Sequence, residues 1–592
     1  MSISTPSTSN LNFAWQYLKT EKKSFIIAII FVIANALLQT LTPVAIEYLV
    51  NNAIKITNYT LLWQVTAGMC VLFLIEGIIF KYQVITVGYA AQRIMYNIRV
   101  KLFGHIQNLK TDFFSQNKSG DLISRINSDT TLLDNFLGQY IFSFTSSFFV
   151  FLAFGIYLLV LNPVLALIAY IGVVFTIVTS LILKPIVQKT NKTSLEDNGQ
   201  LKSYLADNLN NYQIIQAYNI TTNFSREFAS YNQTNQIANF RSRVFTNIFS
   251  PIYTVAGNLA LVLILITVFY FKIGSTEASI GALVAFIFAV VKFFQPLREL
   301  GSVFASLAEA IAALTRIRDI FNQPKSEVFS SNKDNISQYF VYNQGDNYTT
   351  AIEFSNVSFG YNGTNQKVFN DISFEVPTNS KYAIIGPTGE GKSTIAKLIS
   401  GLLSQDSGTI KIFGKELNNW SREDFYNTIG FILQDPFLFS GSVASNIVYG
   451  NPKYESYNLA IIQASKEDQP LVLNNLIQAL KEDIKKHELD TIIPNLEEFL
   501  TVEVNNNSQN ISQGQKQIIN FVRVLLREPK ILILDEATAN LDTITEQYLQ
   551  QVLDRLNSKV TQIIIAHRQN TIKDADFVML VGGQKINVES KV

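Results

Sequence analysis

Residues 386–394 read Gly-Pro-Thr-Gly-Glu-Gly-Lys-Ser-Thr, which sets Gly386, Gly391, Lys392 and Ser393 at the spacing G-x-x-x-x-G-K-[ST]. Glycines let a backbone curl until successive N–H groups point at phosphate oxygens. A helix that starts where the curl ends adds positive partial charge. The apolar run Tyr382 to Ile385 before the loop reads as a buried strand, and a helix opens at Ile395. That setting makes Gly386, Pro387, Thr388, Gly389, Glu390, Gly391, Lys392, Ser393 and Thr394 candidates to cradle phosphates. Lys392 would reach the β- and γ-phosphates, and Ser393 would ligate Mg2+.

A second set of groups lies downstream. Ile531-Leu532-Ile533-Leu534 reads as a central strand, and two carboxylates, Asp535 and Glu536, follow at its C-terminal end. Asp535 fits as a second Mg2+ partner. Glu536 fits as a base that polarises an attacking water.

These groups need a scaffold, and the sequence describes two. Charged residues are only 16% of the chain, below the roughly 25% usual in soluble domains. The deficit falls in the first half. From Asn135 to Leu183 there are 49 residues with no Asp, Glu, Lys, Arg or His. About 20 apolar residues span a bilayer, so this stretch predicts two spans, broken at Asn162-Pro163. Four further spans are predicted near Phe25–Val50, Leu61–Phe80, Phe249–Phe271 and Ala278–Phe304. Lys292, Arg298 and Glu299 mark the last as a helix that leaves the bilayer and continues. Lys and Arg number 17 in segments 1–23, 81–134 and 184–248, against Lys55 and Lys272 in the intervening loops. This bias predicts cytoplasmic termini. The long basic segments are polar yet periodic, which predicts helices running far past the membrane.

Residues 322–350 are rich in Asn, Gln, Ser and charge and read as a linker. From 351 to 592 short apolar strands, among them Gln562 to Ile565, alternate with amphipathic helices, the pattern of a mainly parallel α/β sheet. The expected division is thus 1–321, 322–350 and 351–592. A net charge of +1 argues against nucleic acid as partner. A single cysteine excludes an intrachain disulfide, and three scattered histidines suggest no metal cluster.

Residues 351–592 resemble the nucleotide-binding domain of ABC transporters. Ile511-Ser512-Gln513-Gly514-Gln515, followed by Lys516-Gln517, is similar to the family signature. Tyr361, in Phe359-Gly360-Tyr361, matches the aromatic adenine platform, and Gln434, in Leu433-Gln434-Asp435, the glutamine loop. Asn540-Leu541-Asp542 matches the D-loop, and His567, in Ala566-His567-Arg568, the switch histidine. The first half resembles the family's exporters through Phe114 to Asp129 and Gln295-Pro296-Leu297.

The resemblance implies a six-span α-helical exporter domain joined to an α/β ATPase, working as a dimer in a bacterial plasma membrane with ATP and Mg2+. Glu536, His567 and Gln434 would be catalytic; Ser393, Gln434 and Asp535 would hold the metal. Ser512, Gly514 and Gln515 would meet the ATP of a second half-transporter, either a copy of this chain or a related one. Coupling helices are expected around Asp112–Lys118 and Tyr218–Phe224.

Three departures from the family stand out. Gln513 replaces a signature glycine. The segment Ser442 to Asn510 is longer than usual, with Leu471 to Lys486 as an expected insert and Asn505 to Asn507 in place of a glycine-bearing loop. The chain also stops soon after His567.

The expected activity is ATP-driven export of an amphiphilic drug, lipid or peptide. Import of a metal chelate is an alternative, and an ATP-gated non-pumping protein a more remote one. For substrate contact, Phe288, Lys292, Gln295 and Glu299 fall on one helical stripe of the sixth span, and Glu76 is the acid well inside the second.

Overall fold

The computed structural model describes residues 8–117, 119–270, 280–325, 329, 349–361, 367–465, 467–493, 495–505, 508–535, 543–556, 559–565 and 572–590. The chain forms two compact units. One comprises Met1–Gln107 and Ser119–Gln323; the other comprises Asn108–Lys118 and Pro324–Val592.

In chain order the helices begin with α1 (Thr8–Leu18), α2 (Lys22–Tyr48), α3 (Tyr59–Ile106) and α4 (Thr111–Gln116), the last belonging to the second unit. They continue with α5 (Ser119–Ser124), α6 (Thr130–Asn135), α7 (Ile141–Leu161), α8 (Pro163–Asn210) and α9 (Tyr212–Ala217). The first unit ends with α10 (Thr221–Asn247), α11 (Phe249–Tyr270) and α12 (Ile280–Phe321).

Among the described residues, six helical stretches are long and apolar enough to cross a membrane. The expected break between the third and fourth spans is built from its own residues. The Asn162 side chain accepts from Val164 N and Leu165 N, at 3.0 and 3.2 Å, and Pro163 occupies the first helical position. At 48 residues, α3 and α8 each extend about 72 Å, more than twice a hydrocarbon core of about 30 Å. The helices therefore carry on past the membrane, as the basic, periodic segments suggest. The last helix, α12, runs unbroken for 42 residues through Pro296.

Helices α7, α8, α11 and α12 share one core. Phe293 and Phe294 of α12 are buried there with Phe154, Ala169, Ala256 and Ala260. A side chain at Gly172 of α8 or Gly257 of α11 would begin 2.9 or 3.3 Å from the Phe294 ring, so these two glycines form its slot. Within the apolar bundle, the Asn35 amide donates to Gln83 Oε1 at 3.3 Å, and Gln39 donates to Asn35 at 3.0 Å. In the extension of α12, Arg316 makes a two-point ion pair with buried Asp129, at 2.9 and 2.5 Å.

The second unit holds a four-stranded sheet and a six-stranded one. The first orders as β2 (Phe369–Pro377), β1 (Thr350–Phe359), β4 (Ser407–Ile412) and β5 (Lys415–Glu416), all antiparallel. The second orders as β12 (Lys585–Ser590), β11 (Phe577–Gly582), β3 (Lys381–Ile385), β10 (Thr561–Ile565), β9 (Ile531–Asp535) and β6 (Ile429–Ile432). Its five strands from β11 to the edge strand β6 run parallel. Strands β9 and β10 are buried along their whole length, which is why their sequences are continuous apolar runs rather than alternating ones. A short pair, β7 (Gly441–Ser442) with β8 (Glu503–Val504), closes the ends of the longer segment.

The helices of this unit are α13 (Lys392–Ile399), α14 (Arg422–Thr428), α15 (Val443–Val448), α16 (Glu455–Gln463), α17 (Gln469–Lys486), α18 (Leu496–Thr501), α19 (Gln513–Leu525) and α20 (Thr543–Leu556).

Two expectations change here. The stretch Leu471 to Lys486, read as an insert, lies in α17, whose Leu476, Ile477, Leu480 and Ile484 are buried in the same core as α15, α18 and α19. Its apolar residues recur at helical spacing because it is a core helix of the unit, not an appendage. The short helix expected around Tyr218–Phe224 is α9, at Tyr212–Ala217; Tyr218 to Ile220 form the turn before α10.

Candidate nucleotide site

Parallel pairing brings four strand ends to one edge. Ile565 lies opposite both Ile384 and Asp535, and Ile432 lies opposite Leu534. The loop after β3, the end of β9 and the loop after β6 therefore emerge side by side, the place where open α/β sheets bind ligands.

The loop after β3 is the glycine-rich segment. Gly386 has φ +154°, and a Cβ there would meet the Val581 carbonyl oxygen at 2.1 Å. Gly391 has φ +102°, with the Phe369 ring 2.6 Å from where a Cβ would lie. Both positions admit only glycine. Lys392 opens α13, is buried, and donates from Nζ to the carbonyls of Gly386 and Pro387 at 2.8 and 3.0 Å. Its ammonium is thereby held inside the curl. Glu390 accepts from Gly583 N at 2.9 Å, which pins the loop to the hairpin of β11 and β12.

Ser393 Oγ lies 3.2 Å from Asp535 Oδ1, and Asp535 is buried at the end of β9. A hydroxyl and a carboxylate, both hard oxygen donors, meet beside the phosphate loop. This donor set suits Mg2+, which favours one or two protein oxygens plus phosphate and water.

Tyr361 follows β1. Its hydroxyl is 3.0 Å from Thr394 Oγ1, and its ring packs edge-on against Phe359 at 5.1 Å. About a third of the residue's surface remains exposed.

Gln434 lies on the exposed loop two residues beyond β6, with its carbonyl accepting from Gln517 Nε2 at 2.6 Å. Ser512 and Gly514 stand at the start of α19. Ser512 Oγ accepts from Gln515 N, and Gln515 Oε1 accepts from Ser512 N, a reciprocal capping box. Gln515 thus stiffens the turn that carries Ser512. Glu536, His567 and Asn540-Leu541-Asp542 lie outside the described residues.

Residues 25–297 match the family model for the ABC transporter transmembrane region, and residues 369–539 match the model described as ABC transporter. The chain belongs to the ABC transporter family.

This ABC transporter is a multi-pass membrane protein of the exporter type, and its nucleotide-binding half is an ATPase. It is 29% identical over 581 residues to an uncharacterized ABC transporter ATP-binding protein, YfiC, of Bacillus subtilis, covering 97% of this chain and 90% of that one. It is 26% identical over 511 residues to the fatty acid ABC transporter ATP-binding/permease protein of Mycobacterium bovis, covering 86% and 75%. It shares the fold of a bacterial Atm1-family ABC exporter solved with ATP bound, with a TM-score of 0.76 at 21% identity, covering 97% and 95% of the two chains.

In the membrane half of the transporter, Phe288 and Lys292 are half-buried and Gln295 is exposed, all away from the packed Phe293 and Phe294; the Glu299 side chain lies outside the described residues. Lys292 Nζ is 6.0 Å from the Phe288 ring centre. Glu76, on α3, is half-buried.

Sequence reasoning passed over Phe329. This residue of the expected linker packs on Phe425 and Tyr426 at 4.8 and 5.5 Å and fills the space beside Gly401. An aromatic beside Val328 in a polar stretch was its signal. Beside it, Lys325 bridges to Leu109, and Arg422 donates to Asn108 Oδ1 at 3.3 Å. The segment leading into α4 is held by these contacts within the second unit.

Proposed function

We propose that this chain is one half of a dimeric exporter that hydrolyses ATP to move an amphiphilic substrate across a plasma membrane by alternating access. The observation that carries the reading is the meeting of Lys392, Ser393 and Asp535 at one sheet edge, in a chain whose other half has six membrane-length helices.

Lys392 leaves its loop carbonyls for the β- and γ-phosphates, and Tyr361 stacks on the adenine. Ser393, Asp535 and Gln434 would hold Mg2+, which would supply neutralisation of phosphate charge. Ser512 and Gly514 of a second subunit close the site from the other side. Glu536 takes the proton of the attacking water, and His567 contacts the γ-phosphate. The helices α4 and α9 pass closure to the membrane half. Tyr212, Ile214 and Tyr218 in and beside α9 expose apolar surface suited to docking on a partner's ATPase domain. The stripe of half-buried Phe288 and Lys292 with exposed Gln295 serves as substrate wall. An aromatic ring beside a cation suits amphiphiles, in keeping with a fatty acid transporter among the relatives.

Inverted vesicles test the reading: ATP-dependent accumulation inside them of a labelled fatty acid or lipophilic dye, abolished by Glu536→Gln, is expected. Accumulation only in right-side-out vesicles would replace export by import. Lys292→Ala and Glu76→Ala should change which compounds stimulate hydrolysis while basal hydrolysis persists; an unchanged stimulation profile would move the substrate wall elsewhere.

A further inference from the structure

Gln513 is the signature position where this chain carries an amide in place of glycine. Its Nε2 donates to Asp435 Oδ1 at 3.3 Å. One turn along α19, fully buried Gln517 donates to the carbonyl of Gln434 at 2.6 Å. Positions i and i+4 share a helix face. That face holds two consecutive residues of the glutamine loop, Gln434 by its backbone and Asp435 by its side chain. Farther along α19, on a different face, Arg523 donates from Nε to the Asn446 carbonyl at 2.7 Å and from Nη1 to the Phe437 carbonyl at 3.3 Å.

The start of α19 is itself stiff. The capping box binds Ser512 and Gln515 to each other, so Ser512 moves with the first turn. Glycine at 513 would leave the Gln517 contact and remove the one to Asp435. The added amide therefore ties the side chain of Asp435 in the glutamine loop to the residue next to Ser512.

We propose that Gln513 is a positioning residue that couples the glutamine loop of a subunit's own nucleotide site to the signature which the same subunit presents to its partner's ATP. This rests on the composite site of two subunits proposed above. When ATP and metal engage Gln434, Asp435 moves with its neighbour, and Gln513 carries the displacement to Ser512. Each site then senses the occupancy of the other through a contact inside one chain.

The test uses the assembled full-length transporter in lipid nanodiscs and reads ATP hydrolysis against ATP concentration. The unsubstituted protein should show a Hill coefficient above one. Gln513→Glu sets one acceptor against another; kcat should fall about fivefold, the scale of one lost polar contact, and the Hill coefficient should approach one. Binding of a fluorescent ATP analogue and the thermal midpoint should not change. Combining Gln513→Glu with Asp435→Asn exchanges donor and acceptor, and should restore rate and Hill coefficient to within about twofold. Asp435→Ala, at an exposed position, should lose cooperativity in the same way without a packing change. A Hill coefficient of one in the unsubstituted protein, an unchanged coefficient in both single variants, or no recovery in the combined variant would each overturn the proposal. Ser512→Arg serves as a separate control: wild-type hydrolysis in that variant would overturn the composite site itself, whatever the Gln513 variants do.

Discussion

Ser393 and Asp535 stand 142 residues apart in the chain, and their oxygens come within 3.2 Å of each other. Parallel pairing of β3 with β10 and of β10 with β9 brings them together, since each strand carries its last residue to the same edge. The oxygen pair is suited to share one hard cation. Asp535→Asn removes the charge and keeps the shape, so metal-dependent ATP hydrolysis should fall by about two orders of magnitude, in the range of lost electrostatic stabilisation of a transferring phosphoryl group. Hydrolysis assayed over a magnesium titration checks this. Ser393→Ala should shift the curve to higher magnesium with a smaller loss.

Gly386→Ala should abolish nucleotide binding. The backbone there is left-handed, and the new methyl would sit 2.1 Å from the Val581 carbonyl oxygen. Strain of this kind costs about 1–3 kcal/mol before the clash is added, so the loop must give way. Equilibrium binding of a fluorescent ATP analogue reads the loss.

Arg316→Ala leaves the buried Asp129 carboxylate without its partner. The expected loss is about 1–3 kcal/mol, below that of a fully buried pair because the arginine side chain is 45% exposed. Hydrogen bonding to Asp129 raises the Arg316 guanidinium above its ordinary value. A raised cation contributes fully below its unfolded pKa and loses that contribution only as pH climbs through the folded one. An arginine's ordinary value already lies far above neutral pH, so the stability gap between wild type and Arg316→Ala should stay flat across neutral pH. Thermal unfolding at several buffers checks both size and flatness, and Asp129→Asn added to Arg316→Ala should regain part of the loss.

Phe329→Ala should lower the unfolding midpoint of the second unit. The ring fills the space between Gly401 and the Phe425 and Tyr426 rings, and truncating a partly buried phenylalanine costs about 1–3 kcal/mol. Phe329→Leu, which keeps much of the volume, should recover most of the midpoint.

Chemistry that depends on neighbouring residues was legible in the sequence. The phosphate loop needs its glycines, lysine and serine in one stretch, and β9 needs an unbroken apolar run because it is covered on both faces. Spans were legible because a bilayer tolerates no charge across their length. What depended on partners distant in sequence was not. Nothing near Gln513 points to Asp435, 78 residues away, and nothing near Phe329 points to Phe425. The helix α17 looked like an insert because its length was compared with a pattern; its buried face shows only in the packed core.

The slot that receives Phe294 has a mechanical meaning. Sliding α12 by one helical turn, about 5.4 Å, would drag a ring across two glycine-lined walls made to its outline. Rotation about the helix axis would meet the same obstacle. Helices α8, α11 and α12 are therefore geared together and travel as one stiff strut. Shearing along the side of α12 that carries Phe288, Lys292 and Gln295 would leave this strut intact, so the wall proposed for the cargo would also be the surface that slides.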